Sequence, residues 1–281
     1  MFSINTNTGA MTALQMLGGT TRQLNDVQDD VATGREVNTA KDNAALWAIS
    51  QMMDTDMAGY RGVSDALSLG EATVAVASAG AEQITDTLMD MKKLAISAAS
   101  GLVDYSKVEA QMQQKTQQIN SIISASQFNG ANLLATDANG NGATGISVAA
   151  SLDRQGAGNP ALSNITVDSV NFEGDAAFDL ANRTPITDKA SAMAALDEME
   201  GFIQFAIDGA ARLGASSKRM SDQNEFTSKL ADAMKQGQSS LVDTNMEEAA
   251  TRWHALQAQQ QLGSLSLSIA NAAPQALKAL F

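Results

Sequence analysis

Cysteine is absent from the 281 residues, which removes disulfides, thiolate catalysis and sulfur metal ligands together. Proline numbers three and aromatic residues make up 4% of the chain, a poor supply for a β-sandwich or barrel. Basic residues are outnumbered, 18 Lys and Arg against 31 Asp and Glu, for a net charge of -13. A chain of that sign lacks the basic face that nucleic acid or an anionic membrane would need as its main partner. No apolar run is long enough to span a bilayer. The N-terminal Met-Phe-Ser-Ile-Asn-Thr-Asn has neither the basic n-region nor the apolar core of a Sec-type signal peptide. What is plentiful is Ala, Ser, Gln, Asn and Met, the material of long helices with small side chains. A mainly helical fold is expected, in one or two domains by length.

The first break in helical character comes at Gly34, placed to end a helix with positive φ. Thr39, with Asp42 three residues on, reads as an N-cap with a weakened capping box and predicts a second helix from about Ala40. Before the break, no side chain is charged until Arg22. Ala10, Leu14, Leu17, Thr21, Leu24 and Val31 nevertheless keep coiled-coil spacing, with Gln28 as a polar interruption. Gly18 and Gly19 each weaken an isolated helix by about 1 kcal/mol relative to Ala, so this segment needs a partner.

From Ala44 to Ser100, Leu46, Ile49, Met53, Met57, Tyr60, Val63, Leu67, Val74, Ile84, Leu88, Met91 and Ala95 keep to one face, a helix of roughly 80 Å at 1.5 Å per residue. Gly101 ends it, and Val108, Met112, Ile119, Ile122 and Ile123 mark a helix folding back. Residues 135–186 hold six Gly and two of the three Pro; the short alternating runs at 146–148 and 164–167 predict a small β-hairpin. Helical spacing returns in Met193, Leu196, Met199, Ile203, Ile207 and Ala210, then Met220, Leu230, Met234 and Leu241. Residues 249–281 carry only Arg252 and Lys278 as charged side chains. Met246, Ala249, Trp253, Leu256, Leu267, Ala270, Leu277 and Phe281 form a second terminal seam. Exposed stripes of this kind mark interaction surfaces. Segments that bury their apolar face only on assembly fold at that moment.

The chemical signals are weak. Asp137-Ala138-Asn139-Gly140-Asn141-Gly142 imitates a calcium-loop start, but Val148 stands where a bidentate Glu is required, and the stretch reads as a turn. His254 has no Cys or second His to pair with. Asp54 with Asp56, and Glu247 with Glu248, are too close in sequence to converge from one helix face and read as solvated. No catalytic residue, metal site or cofactor is expected.

Three stretches go further. Thr33-Gly34-Arg35 with Asn38-Thr39-Ala40-Lys41-Asp42-Asn43-Ala44-Ala45 resembles the signature after the first helix of bacterial flagellins. Gln127-Phe128-Asn129-Gly130-Ala131-Asn132-Leu133-Leu134 is similar to their second. Leu213-Gly214-Ala215, Lys218-Arg219-Met220, Leu241-Val242-Asp243, Gln259-Gln260-Gln261-Leu262, Ser268-Ile269-Ala270-Asn271 and Pro274-Gln275 resemble their C-terminal elements. Ala45-Leu46-Trp47 and Trp253 depart from many members, and Trp47 with the Gln run looks like alphaproteobacterial forms.

The resemblance implies a long antiparallel helical rod or coiled-coil bundle with a small β-hairpin region, and N- and C-terminal helices pairing as a separate filament-core domain. The implied domains are 1–40 with 242–281 as that core, 41–134 with 187–241 as the rod, and 135–186 as the hairpin region without large outer domains. It implies a structural subunit of the flagellar filament, extracellular and exported without a Sec signal. Its implied partners are itself, sister flagellins, hook-associated junction and cap proteins and an export chaperone. The implied self-assembly interface is Leu14, Leu17, Leu24, Val31, Trp253, Leu256, Leu267, Ala270 and Leu277, with Leu267, Ala270 and Leu277 facing Leu14, Leu17 and Leu24. A hook-filament junction protein shares the terminal helices and is the alternative, with a flagellin-scaffold enzyme or adhesin behind it. Leu88 to Ile96 aligns with the face gripped by the flagellin-sensing Toll-like receptor. Asp90 stands where stimulating members carry Arg, so weak activation is expected.

Overall fold

The computed structural model describes residues 6–154, 158 and 160–278, with side chains described only as far as 272. Helix α1 runs Thr8–Thr33. The Asn7 side chain accepts from the Ala10 N–H at its start, and Gly34, at φ 71, ends it by donating its N–H to the Asp30 carbonyl. Asp29 and Asp30 sit in the last turn with no base beside them, against the helix dipole. No residue of α1 is buried.

Helix α2 runs Ala44–Ala99 and starts later than the Thr39–Asp42 pair predicts. Asp42 uses its carboxylate to close the preceding turn, accepting the Asn38 and Thr39 N–H groups at 3.1 and 2.8 Å. Those hydrogen bonds, that of Thr39 first, hold the Asp42 carboxyl below its ordinary range. The first side chain free to cap is Asn43, which accepts from Ala45 and Leu46 N–H.

Helix α3, Tyr105–Ala125, is capped by Asp104. Phe128 and Ala131 then exchange both backbone hydrogen bonds at 2.9 Å around Asn129 and Gly130, whose φ values of 50 and 81 make the two-residue turn that Asn-Gly favours. Strands β1, Gly145–Asp153, and β2, Ala161–Asp168, pair antiparallel with Val148 opposite Ile165 and a register shift between Ala149 and Ser151. A 3₁₀ turn at Ala176–Phe178 precedes helix α4, Lys189–Val242, and helix α5, Met246–Lys278.

The chain divides into two compact units: Met1–Thr55 with Ala233–Phe281, and Asp56–Asp232. In the second unit α2 and α4 run antiparallel, with Ser64 donating to Asn224 at 2.6 Å and Lys92 paired with Glu200. Its fully buried side chains include Leu67, Ile84, Leu88, Met91, Met112, Ile119, Leu133 and Met199. The face of α4 buries Met199, Ile203 and Met220 as expected and departs from expectation at other positions. Met193 and Ile207 are exposed, and Ala192, Ala195 and Ala206 are completely buried. On α2, Ala77, Ala81, Ala95 and Ala98 are buried likewise; small side chains on both elements let helices approach closely. Ile49 is also exposed, and Ser50 lies inside the first unit with its carbonyl accepting from Gln238.

The hairpin sits against α2 where glycine leaves room. A Cβ at Gly70 would lie 2.6 Å from Val148, and one at Gly59 2.4 Å from Leu152. Asp56, expected to be solvated, instead holds Arg154 at 2.6 Å with both side chains mostly buried. Elsewhere in the unit, Phe172, Phe178, Phe202 and Phe205 stack edge-on and tilted, with ring centroids 4.8–5.5 Å apart.

Candidate assembly interface

The two terminal helices are antiparallel partners within one unit. Asn7 donates to the Ala270 carbonyl at 2.8 Å, and Gln260 to the Thr21 hydroxyl at 3.4 Å. Between them, a Cβ on Gly263 would come within 3.2 Å of Leu17 Cδ1, so the Leu17 side chain lies directly over the α5 backbone there. The half-buried stripe of α1 is Ala10, Ala13, Leu17, Thr21, Leu24, Val27 and Val31; that of α5 starts at the buried Ala249 and continues through the half-buried Trp253, Leu256, Gln260, Gly263, Leu267 and Ala270. Both keep three-and-four spacing.

Of the residues singled out from sequence, Leu17, Leu24, Val31, Trp253, Leu256, Leu267 and Ala270 lie on this intrachain seam. Leu14 does not: it is 60% exposed, and Ala13 occupies the seam in its place. The side chain of Leu277 lies outside the described residues, as do Leu280 and Phe281. Trp253 packs its ring 5.0 Å from His254. Sequence reasoning missed Asn7, Thr21 and Gln260 as cross-helix hydrogen-bonding groups, since polar residues give no periodic apolar signal.

At the foot of the pair the two inter-helix connections are bonded together. Glu36 N–H donates to the Val242 carbonyl and Thr244 N–H to the Gly34 carbonyl, at 2.8 and 3.0 Å. Beside them a cavity of about 130 Å³ is bordered by Asp30, Glu36, Glu248 and Arg252. Glu248 pairs with Arg252 at 2.6 Å. Burial first, and then the neighbouring carboxylates of Glu36, Asp42, Asp26 and Asp29, push the Asp30 carboxyl up from its ordinary value.

Beyond the seam a large apolar surface remains. Leu262 is 66% and Ile269 65% exposed, with Leu265, Met11 and Met16 similarly open. On α5, the exposed Ala255, Ala258, Leu262, Leu265, Ile269 and Ala272 repeat the three-and-four spacing one or two residues away from the seam. The helix therefore carries two apolar stripes, and its own chain covers one. No described helix is long and apolar enough to cross a membrane.

Residues 4–139 match the family model of the bacterial flagellin N-terminal helical region, and residues 189–281 that of the C-terminal helical region. The chain belongs to the bacterial flagellin family. It is 35% identical over 287 residues to a flagellin of Brucella melitensis biotype 1, covering 100% of this chain and 99% of the relative. To flagellin C of Rhizobium meliloti it is 33% identical over 321 residues, covering 100% and 99%. To flagellin FljO of Caulobacter vibrioides it is 31% identical over 282 residues, covering 99% and 98%. A crystal structure of Bacillus cereus flagellin matches 59% of this chain and 88% of that one, at 22% identity and a TM-score of 0.48. As a flagellin-family member the chain is a structural subunit that self-assembles into the extracellular filament of the bacterial flagellum, serving motility.

Proposed function

We propose that α1 and α5 form the filament-core domain, residues 1–40 with 242–281, and that copies meet through the apolar stripes that this pair leaves open. The remaining helical stretches, 41–134 with 187–241, act as a rod, and 135–186 as its hairpin region. The carrying observation is the second stripe of α5, Ala258, Leu262, Leu265 and Ile269, uncovered by its own chain. Contact between the open α5 stripe of one copy and the open face of α1 on the next, through Met11, Leu14 and Met16, is heterologous, and heterologous contacts whose rotation does not close make open helical polymers. Leu17, Leu24, Trp253, Leu256 and Leu267 then shape the subunit's own pair, and Leu14 with the second α5 stripe binds neighbours. Sister flagellins, hook-associated junction and cap proteins and an export chaperone are the further partners, and export proceeds without a Sec signal.

Ile269→Asp tests this reading. Burying an unpaired carboxylate between copies costs several kcal/mol even after relaxation, so seeded polymerisation should fail and circular dichroism of the monomer should stay unchanged. Filaments of normal length from Ile269→Asp would overturn it.

A further inference from the structure

We propose that Met11 and Met16 form an oxidation-sensitive site through which peroxide-class oxidants block assembly of the subunit. The inference rests on the reading of α1 as part of the copy-to-copy interface. The chain has 14 Met and no Cys, so thioether sulfur is the one two-electron sulfur nucleophile it offers. Met91, Met112, Met199 and Met220 are fully buried in the second unit, whereas Met11 is 64% and Met16 69% exposed. Both stand off the α5 seam on a helix with no buried residue. That placement separates two consequences that usually come together. Oxidation of a buried methionine unfolds its core; oxidation of Met11 or Met16 leaves the fold of the subunit untouched and changes only the surface offered to a neighbour.

The reaction needs no group from the protein beyond the sulfur. A sulfur lone pair attacks one oxygen of hydrogen peroxide, the O–O bond breaks, and the proton of the transferred hydroxyl passes to the departing hydroxide, leaving the sulfoxide and water. The sulfur is oxidised by two electrons to the sulfoxide and the peroxide is reduced. The apolar, flexible side chain becomes polar and chiral, with a strong acceptor oxygen that an apolar interface leaves without a donor. Residues 1–21 contain no charged side chain, so the segment holds no Lys or Arg of its own to satisfy that oxygen. The change is reversible by methionine sulfoxide reductases, which makes it a reversible gate on assembly.

The test uses the full-length monomer exposed to dilute hydrogen peroxide, with peptide mass spectrometry to map added oxygen and seeded polymerisation as readout. Each protein is compared with its own untreated sample. Met11 and Met16 should oxidise ahead of the four buried methionines, and polymerisation of the wild type should fall by about tenfold or more with its circular dichroism unchanged. In the Met11→Leu, Met16→Leu double variant the ratio of treated to untreated rates should stay near one. Reductase with thiol should restore the wild type, and preformed filaments should protect both sulfurs. Unimpaired polymerisation of oxidised wild type, an equal loss in the double variant, or a loss that reductase fails to reverse would overturn the inference. A Leu14→Asp control separates it from the underlying reading: if that variant polymerises, α1 is not a copy interface; if it does not and oxidation has no effect, only the oxidation site is wrong.

Discussion

Leu17 and Gly263 face one another across the α1–α5 pair, so close that a Cβ on Gly263 would lie 3.2 Å from Leu17 Cδ1, tighter than an ordinary contact. Gly263→Ala should be tolerated, because the end of a leucine side chain yields by a few tenths of an ångström and Ala gains about 1 kcal/mol of helix propensity. Gly263→Val adds a branched side chain that the contact has no room for, and overpacking costs about 1–3 kcal/mol. Seeded polymerisation of the two variants should therefore diverge, Ala near wild type and Val strongly slowed. Equal behaviour would mean that the close approach is not what holds the pair.

Leu88 and Leu267 lie in different units and should fail differently. Leu88 is completely buried, so Leu88→Asp should cost about 4 kcal/mol or more and lower the main thermal transition sharply. Leu267 is only half-buried on the terminal pair. Leu267→Asp should leave that transition within a few degrees and abolish filaments and motility. Deleting residues 1–40 or 242–281 should likewise leave a soluble helical protein that does not polymerise. Melting by circular dichroism alongside seeded growth is the measurement, and filaments from Leu267→Asp or from either truncation would refute the division of labour.

Glu109 and Arg183 make a bidentate pair at 2.7 and 3.1 Å, joined by the Ile186 N–H at 2.9 Å. Burial alone would push the Glu109 carboxyl up; the Arg183 hydrogen bonds, the Ile186 N–H, the guanidinium charge and Gln113 outweigh it and hold the carboxyl below its ordinary 4.5. A depressed folded pKa contributes stability that is present above the unfolded value and lost as pH falls through the folded one. Wild-type stability should therefore drop below about pH 4.5. Glu109→Gln, which leaves the Arg183 charge unpaired, should cost about 3 kcal/mol at neutral pH and flatten that acid limb. Urea titrations at pH 7 and pH 3 give the difference; an unchanged acid slope would exclude the pair as its source.

Asp137 gathers the N–H groups of Asn139, Asn141, Gly142 and Ala143, the shortest being Gly142 at 2.7 Å. The Gly142 hydrogen bond first, then the others, hold its carboxyl below the usual range. Asp137→Ala should speed amide hydrogen exchange at Gly142 and Ala143 and leave exchange in α2 alone. Unchanged protection at Gly142 would show that the loop holds its shape without the carboxylate.

Much of this was written in the residues themselves. Gly34, Gly101 and the Asn129-Gly130 turn declare where helices stop because few residues accept positive φ. The hairpin followed from alternation at 146–148 and 164–167. What stayed hidden has a common cause. Alanine is as much at home in a core as on a surface, so Ala192, Ala195 and Ala206 gave way in the sequence reading to Met193 and Ile207, and Ala13 to Leu14. Asp56 and Arg154, 98 residues apart, share no periodicity that could have paired them. On α5 the stripe toward α1 was visible. Its neighbour through Leu262, Leu265 and Ile269 was not, because one helix with two apolar stripes has a blurred amphipathic pattern.

The bond from Asn7 to Ala270 spans 263 residues, nearly the whole chain. α1 is made before α5, so the contacts among the residues between them can form before this one closes. Closing so long a loop is entropically slow, and α1 has little to hold it meanwhile: two adjacent glycines, a C-terminal turn of uncompensated acids, no buried residue. α1 is thus made ahead of the helices that lie between it and α5 and closes after them, so a chain still lacking α5 has no partner for the α1 seam.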